Sequence, residues 1–489
     1  SSGAGLYDQL ARNTIKQFAA EGKFAEFWAV DRRGNCVEDL SGIEAATAVQ
    51  DYKLAFDYYY NNHEVNGKKF KGFLKGSDVP FLADFGLKRT VDDLYFLMQE
   101  EMPSLADRQV KLFCGGHSMG GPIMAAFTMW DFDGDKNTLD DAGFNQCRGF
   151  FALDTSFFDL GSRLEPLVTG LLGPLSSTGY ESAIEALRSS KSVFLEAPLV
   201  LDLPKITNLF TIAGLAAYSK PNEETDLFKL LPSIPGISLP LRLLYSRDLL
   251  SFITGVPKLS DFRMTNEAAL GALFDDNSSP LFATQASLGT FDGGPVVQKR
   301  FPFPANDLIS LLPGIGQRVS AIFGGQLMVP AQPNGPLYKW RSFDSIDAPD
   351  APKQTGDLGR PYTSPGSEVT DIKQFARSLH EAPLDAFESY FPTRLLLDTF
   401  FFSQIGIRTG DLAGAIHPQG LVAPISRPFI SLQAADGFAT NEAIASETEV
   451  TLPGYNHFDV ATAAGRQNNG ENELVSSNLV AFMLKNKAP

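Results

Sequence analysis

The chain is poor in histidine, cysteine and positive charge. Its 489 residues hold five histidines and three cysteines, and 41 Lys and Arg face 57 Asp and Glu, a formal charge of -16. Phosphate binding needs a net basic face, so no nucleic-acid partner is expected. Cys36, Cys114 and Cys147 form no disulfide framework and have no zinc-type spacing. One bridge is compatible with them and none is required at this size. No apolar run reaches the roughly 18 residues that span a bilayer. The opening residues, SSGAGLYDQLAR, lack a basic start followed by an apolar core, so no signal peptide is read there. A removed leader and a partial chain both account for that. No motif decides the compartment; a secreted or periplasmic location is favoured over the cytoplasm.

What is present suits a large globular protein. Hydrophobic residues make up 44% and charged residues 20%, an ordinary globular balance. The length allows a large core plus an insertion. Phe is frequent, at 39 residues, which points to large apolar cores or an apolar pocket. No internal repeat is found. Strand-like and helix-like runs alternate over the first 160 or so residues, as in a parallel sheet flanked by helices. Helices are expected over Leu6–Ala20, Ile43–Asn61 and Thr90–Met102, the last with Thr90 as N-cap. Strands are expected at Ala25–Val30 (AEFWAV), Val110–Cys114 and Gly149–Leu153, and a short extended piece at Val79–Ala83. From about Asp159 to Arg394 the alternation fades into proline-broken apolar pieces such as LLPSIPGISLPLRLL and LISLLPGIGQRV. It returns with strands at Pro428–Leu432 and Glu449–Leu452 and a helix over Glu473–Lys485.

One stretch concentrates the chemistry. Gly116-His117-Ser118-Met119-Gly120 fits G-x-S-x-G, with a strand-like run before it and a helix-like run after it. Glycines two residues either side relieve collisions at a tight strand-to-helix turn. The serine oxygen is then exposed at a sheet edge, and the N–H of Met119 is placed to donate to an oxyanion. In a chain with 43 glycines the motif alone is weak; its context makes it a candidate nucleophile. A serine needs a base. His457, in GYNHFDVATAA after the last strand, is favoured; His417 is second. His117 adjoins the serine and is expected to point away, and His63 and His380 are read as surface residues. The base needs an acid to orient it. Asp436, in SLQAADGFAT after the strand Pro428–Leu432, is preferred. Asp154, ending the strand Gly149–Leu153, is the alternative, and Asp459 lies too close to His457 in sequence. The plain reading of either aspartate is a helix cap or turn.

These residues resemble the α/β-hydrolase superfamily, in its lipase and esterase branch. GGHSMGG is similar to its nucleophile elbow, AADGF to its acid loop and GYNHFD to its histidine loop, while WAVDRRGN is similar to a strand and loop preceding the elbow. The resemblance covers roughly residues 1–158 and 400–489. It implies a doubly wound, mostly parallel sheet with residues 159–399 inserted as a cap or lid. It also implies N-terminal strands missing from this chain, with SSGAG the tail of an oxyanion loop and Gly3 a source of the second oxyanion donor. A segment absent from this chain is the other source.

The implied activity is carboxylic-ester hydrolysis by Ser118, His457 and Asp436 through an acyl-enzyme, on a small-molecule or lipid ester with an apolar acyl or aromatic group. No organic cofactor is required. Amidase, urethanase, thioesterase and acyltransferase activities use the same parts, and a non-catalytic binding protein of the same fold is the rival from another class. The cap is expected to shape the pocket and to offer a possible lipid-surface contact. Asp131, Asp133, Asp135 and Asn137 (DFDGDKN) alternate as in calcium loops. The glycine and the twelfth-position glutamate of such loops are missing, so a solvated acidic turn is favoured over calcium.

Overall fold

Gly149–Leu153 buries side chains on both faces, as a strand inside a helix-covered parallel sheet must. The computed structural model describes residues 3–155, 182, 185–197, 201–230, 236–301, 326–357, 359–381, 386–404, 427–437 and 448–486. His417 and the piece LISLLPGIGQRV lie outside the described residues.

The main sheet has four strands: β1 (Phe113–His117), β2 (Gly149–Leu153), β3 (Phe429–Ala434) and β4 (Thr448–Leu452). All neighbours run parallel, in the spatial order β1-β2-β3-β4. The register pairs His117 with Leu153, Leu153 with Leu432, and Ala434 with Leu452. The carboxyl ends of all four strands therefore line one edge, the edge at which open α/β sheets place their ligands.

Helices cover both faces, and the period-two alternation of strand side chains divides the core between them. Cys114, Phe150, Ala152 and Phe429 pack with α2 (Leu87–Glu101), α3 (Gly120–Met129) and Leu395 of α7 (Thr393–Gln404). Leu153, Ile430, Leu432 and Leu452 pack with Leu10 of α1 (Asp8–Ala20) and with Val475, Leu479 and Phe482 of α8 (Leu474–Lys485). A third core joins α4 (Leu203–Ser219), α5 (Asn266–Phe274) and α6 (Ile372–His380). It also takes in Ile43, Tyr52 and Tyr58, and it reaches Phe458, the neighbour of His457. The middle of the chain is thus no free-standing lid. Residues before 158 pack into its core, while Val369 and Leu395, from within 159–399, pack onto the two faces of the sheet.

Several local expectations are corrected. AEFWAV forms no strand: Trp28 and Val30 are exposed, and Phe27 and Trp28 line a cavity of about 670 Å³ together with Phe113 and Cys114 of β1, without a ladder joining them. The expected helix over Ile43–Asn61 is two helices, Ser41–Val49 and Tyr52–Tyr60. Gln50 turns left-handed between them at φ 54°, and the Asp51 side chain accepts from the Lys53 N–H to start the second. Val79–Ala83 is not extended; Pro80–Asp84 forms a 3-10 turn, for which proline presets φ. Val110 lies within a short helix, Leu105–Lys111, so β1 begins only at Phe113. Thr90 does not cap α2, which starts at Leu87, whose N–H donates to Asp398 Oδ2 at 3.0 Å.

Cys114 of β1 is bonded to Cys147, just ahead of β2, and Cys36 is free and exposed. Among the described residues no helix is long and apolar enough to cross a membrane.

Candidate active site

Ser118 follows β1 directly. Its φ of 54° is left-handed, a conformation that costs a non-glycine residue about 1–3 kcal/mol and collects at functional sites. The turn is held from several sides. The Ser118 N–H donates to Leu153 O at 3.3 Å, the Gly121 N–H donates to Ser118 O at 3.1 Å, and the Thr155 hydroxyl donates to the same oxygen. A Cβ on Gly116 would stand 2.2 Å from the Gly120 backbone, and one on Gly121 would stand 2.3 Å from Thr155 Oγ1. Gly120 faces open space. The steric need for glycine therefore falls on Gly116 and Gly121, not on both ends of G-x-S-x-G as expected. Met119 is the N-cap of α3, where the helix leaves its first N–H groups unpaired and partly positive.

His457 lies in the loop after β4 and is 2% exposed. Its Nδ1–H donates to Asp154 Oδ2 at 2.6 Å. Asp154, fully buried, ends β2 and is itself left-handed at φ 41°. Its other oxygen accepts the Ala434 N–H at 3.3 Å. The preferred acid is thereby corrected. Asp436 is exposed, and its N–H donates to Tyr455 O at 3.0 Å, a backbone tie to the histidine loop rather than a side-chain partner for His457. The AADGF loop still packs against Asp154: a Cβ on Gly437 would come within 2.4 Å of Asp154 Oδ2.

His117 is the residue that sequence reasoning missed. It points toward His457, not out of the site: its Nε2–H donates to His457 O at 2.9 Å, and the two rings lie 4.4 Å apart. Burial, and then the neighbouring His457, hold it well below the ordinary histidine range. A carbonyl only accepts, so the proton sits on Nε2 and the bond holds the backbone of His457. The one sequence signal was the adjacency of His117 to Ser118. His380, expected at the surface, is buried, with its Nδ1 at 2.8 Å from Ala376 O. His63 is exposed, 3.6 Å from Asp57.

Gly3 does not serve as an oxyanion donor. Its N–H donates to Ala386 O at 2.9 Å, and the next N–H, of Ala4, donates to Asp31 Oδ1 at 2.6 Å. The segment nonetheless reaches the site through Tyr7. A cleft of about 180 Å³ there is lined by Tyr7, Phe27, Trp28, Leu94, Ser118 and Met119. Elsewhere on the surface, Leu249, Leu250, Ile253 and Val256 form an exposed apolar stretch, each more than half exposed.

The acidic stretch after α3 is also rearranged. Asp131, Asp133 and Asp141 bring carboxylate oxygens within 4.8 Å of one another. Asp135 instead accepts from the N–H and Nδ2 of Asn137, an internal turn. Of the expected set, Asp131 and Asp133 are gathered, with Asp141 in place of Asp135 as the third carboxylate. Compared with known proteins, the chain matches no family model, no curated protein and no solved structure.

Proposed function

We propose that the protein is a serine hydrolase acting on carboxylic esters, on an α/β-hydrolase-type sheet. The observation that carries the reading is the strained Ser118 at the end of β1, placed on the same sheet edge as the His457–Asp154 pair. The chain order, serine then aspartate then histidine, is the order of that fold.

In this mechanism Ser118 Oγ attacks the ester carbonyl and His457 takes its proton through Nε2. Asp154 holds the Nδ1–H, fixes the tautomer and stabilises the imidazolium. His117 holds the carbonyl of His457. The Met119 N–H donates to the oxyanion. The imidazolium returns its proton to the leaving alcohol, and the acyl group stays on Ser118. Water, deprotonated by His457, then releases the acid. The aromatic and apolar cleft beside Ser118 supports an apolar acyl group, and the exposed Leu249–Val256 stretch supports contact with a lipid surface. The Cys114–Cys147 bond supports an oxidising, exported location.

A fluorophosphonate probe is expected to label Ser118, and Ser118→Ala to abolish both labelling and p-nitrophenyl ester turnover. Undiminished turnover in Ser118→Ala would sink the mechanism. Emulsified long-chain ester, run beside a monomeric short one, is expected to be the better substrate; equal rates would remove the lipid-surface part.

A further inference from the structure

A second group of carboxylates lies behind the histidine loop. Asp275 and Glu368 are buried, at 0% and 1% exposure, with Asp276 half-buried beside them. One oxygen from each lies within 4.8 Å of the others, a spacing that fits a single cation with ligands at about 2.3–2.6 Å. Among the described residues no lysine or arginine pairs with any of the three.

Three like charges in a buried site must be offset by protons or by a cation. The hydrogen bonds favour the cation. Asp275 accepts from the N–H groups of Asn277, Leu288 and Gly289. Asp276 accepts from the side-chain amides of Asn277 and Asn456. Glu368 Oε1 accepts from Asn277 Nδ2 and the Thr363 hydroxyl. These are donors aimed at ionised carboxylates. Glu368 Oε2 is buried and has no hydrogen-bond partner. That oxygen keeps its lone pairs unused, and a cation held among the carboxylates would satisfy them. Asp459, the fourth acid nearby, is already saturated by Ser287, Thr370 and the Asn456 N–H.

We infer that Asp275, Asp276 and Glu368 form a calcium site that braces the loop carrying His457. The donors are hard oxygens from carboxylates, the chemistry of calcium rather than of zinc or copper. The brace runs through Asn456, whose Nδ2 donates to Asp276 Oδ2 at 3.0 Å and whose next residue is His457. The site joins the end of α5, the Glu368 segment and the histidine loop, three stretches far apart in sequence. It stands whether or not the protein is a hydrolase.

Thermal melts of the full chain in EDTA and in millimolar calcium test it, with Glu368→Gln and Asp133→Asn as variants. Wild type is expected to melt several degrees lower in EDTA and to recover with calcium. Glu368→Gln removes a repelling charge, so in EDTA it should melt at or above wild type, yet gain almost nothing from calcium. Asp133→Asn should respond as wild type does. A wild type indifferent to EDTA and calcium would overturn the site. So would a full calcium response in Glu368→Gln, or loss of the response in Asp133→Asn alone, which would move the ion to the Asp131 cluster.

Discussion

Ser118 and Asp154 are left-handed non-glycine residues at the ends of adjacent strands. Each conformation costs stability, and each aims a short polar side chain out of the sheet edge. At this scale the sharpest prediction separates two aspartates. Asp154→Asn should leave the fold intact and lower kcat by about 10^3- to 10^4-fold, because an amide can present its N–H to His457 Nδ1 and favour the wrong tautomer. Asp436→Asn should stay within about threefold of wild type, as expected of an exposed side chain away from the reacting atoms. Ester turnover of the two variants decides it, and a reversed ranking would restore Asp436 as the acid. The aspartate was in view from the sequence, as the residue ending Gly149–Leu153. The choice between the two was not legible, because both follow strands and only the packing of the loops shows which carboxylate reaches Nδ1.

At the scale of elements, the β1–α3 elbow behaves as one packed unit. Its tolerances differ from what the motif implies. Gly120→Ala should be accepted with activity within about twofold, since its Cβ meets open space and alanine suits a helix better than glycine. Gly121→Ala should drive a methyl into Thr155, whose hydroxyl holds the Ser118 carbonyl. Turnover and probe labelling should fall at least tenfold, on the scale of overpacking losses of about 1–3 kcal/mol. Equal tolerance at both positions would contradict the elbow geometry. β2 was legible to the residue, and β3, β4 and α8 nearly so, because the apolar runs of β2 and β3, the alternating β-branched residues of β4 and a closing apolar helix carry their own signal. AEFWAV carried the same apolar signal and still formed no strand. A run of apolar residues does not specify its ladder partner, which is a long-range choice.

At the scale of the molecule, the middle of the chain and the sheet share their cores, and the histidine loop sits where they meet. Phe458 belongs to the core of α4, α5 and α6, while Tyr455 belongs to the core under α1 and α8. The Cys114–Cys147 bond ties β1 to the turn before β2 across 33 residues. Closing a loop of that size is worth about 3–4 kcal/mol. The double variant Cys114→Ala, Cys147→Ala is therefore expected to lose about that much in urea unfolding, and dithiothreitol should shift the wild-type midpoint the same way. An unmoved midpoint in both would mean the bond contributes nothing.

The sequence by itself determined the strand–Ser118–helix turn and the alternation of strands and helices around it, and it singled out His457 as a candidate, because these are set by local sterics and by the period of apolar residues. Only the tertiary structure decided which aspartate meets His457, that His117 turns toward it, the Asp131–Asp133–Asp141 grouping and the gathering of Asp275, Asp276 and Glu368. Those depend on which loops meet across hundreds of residues, and a side chain acquires a partner only when the packing of the whole chain brings one within about 3 Å.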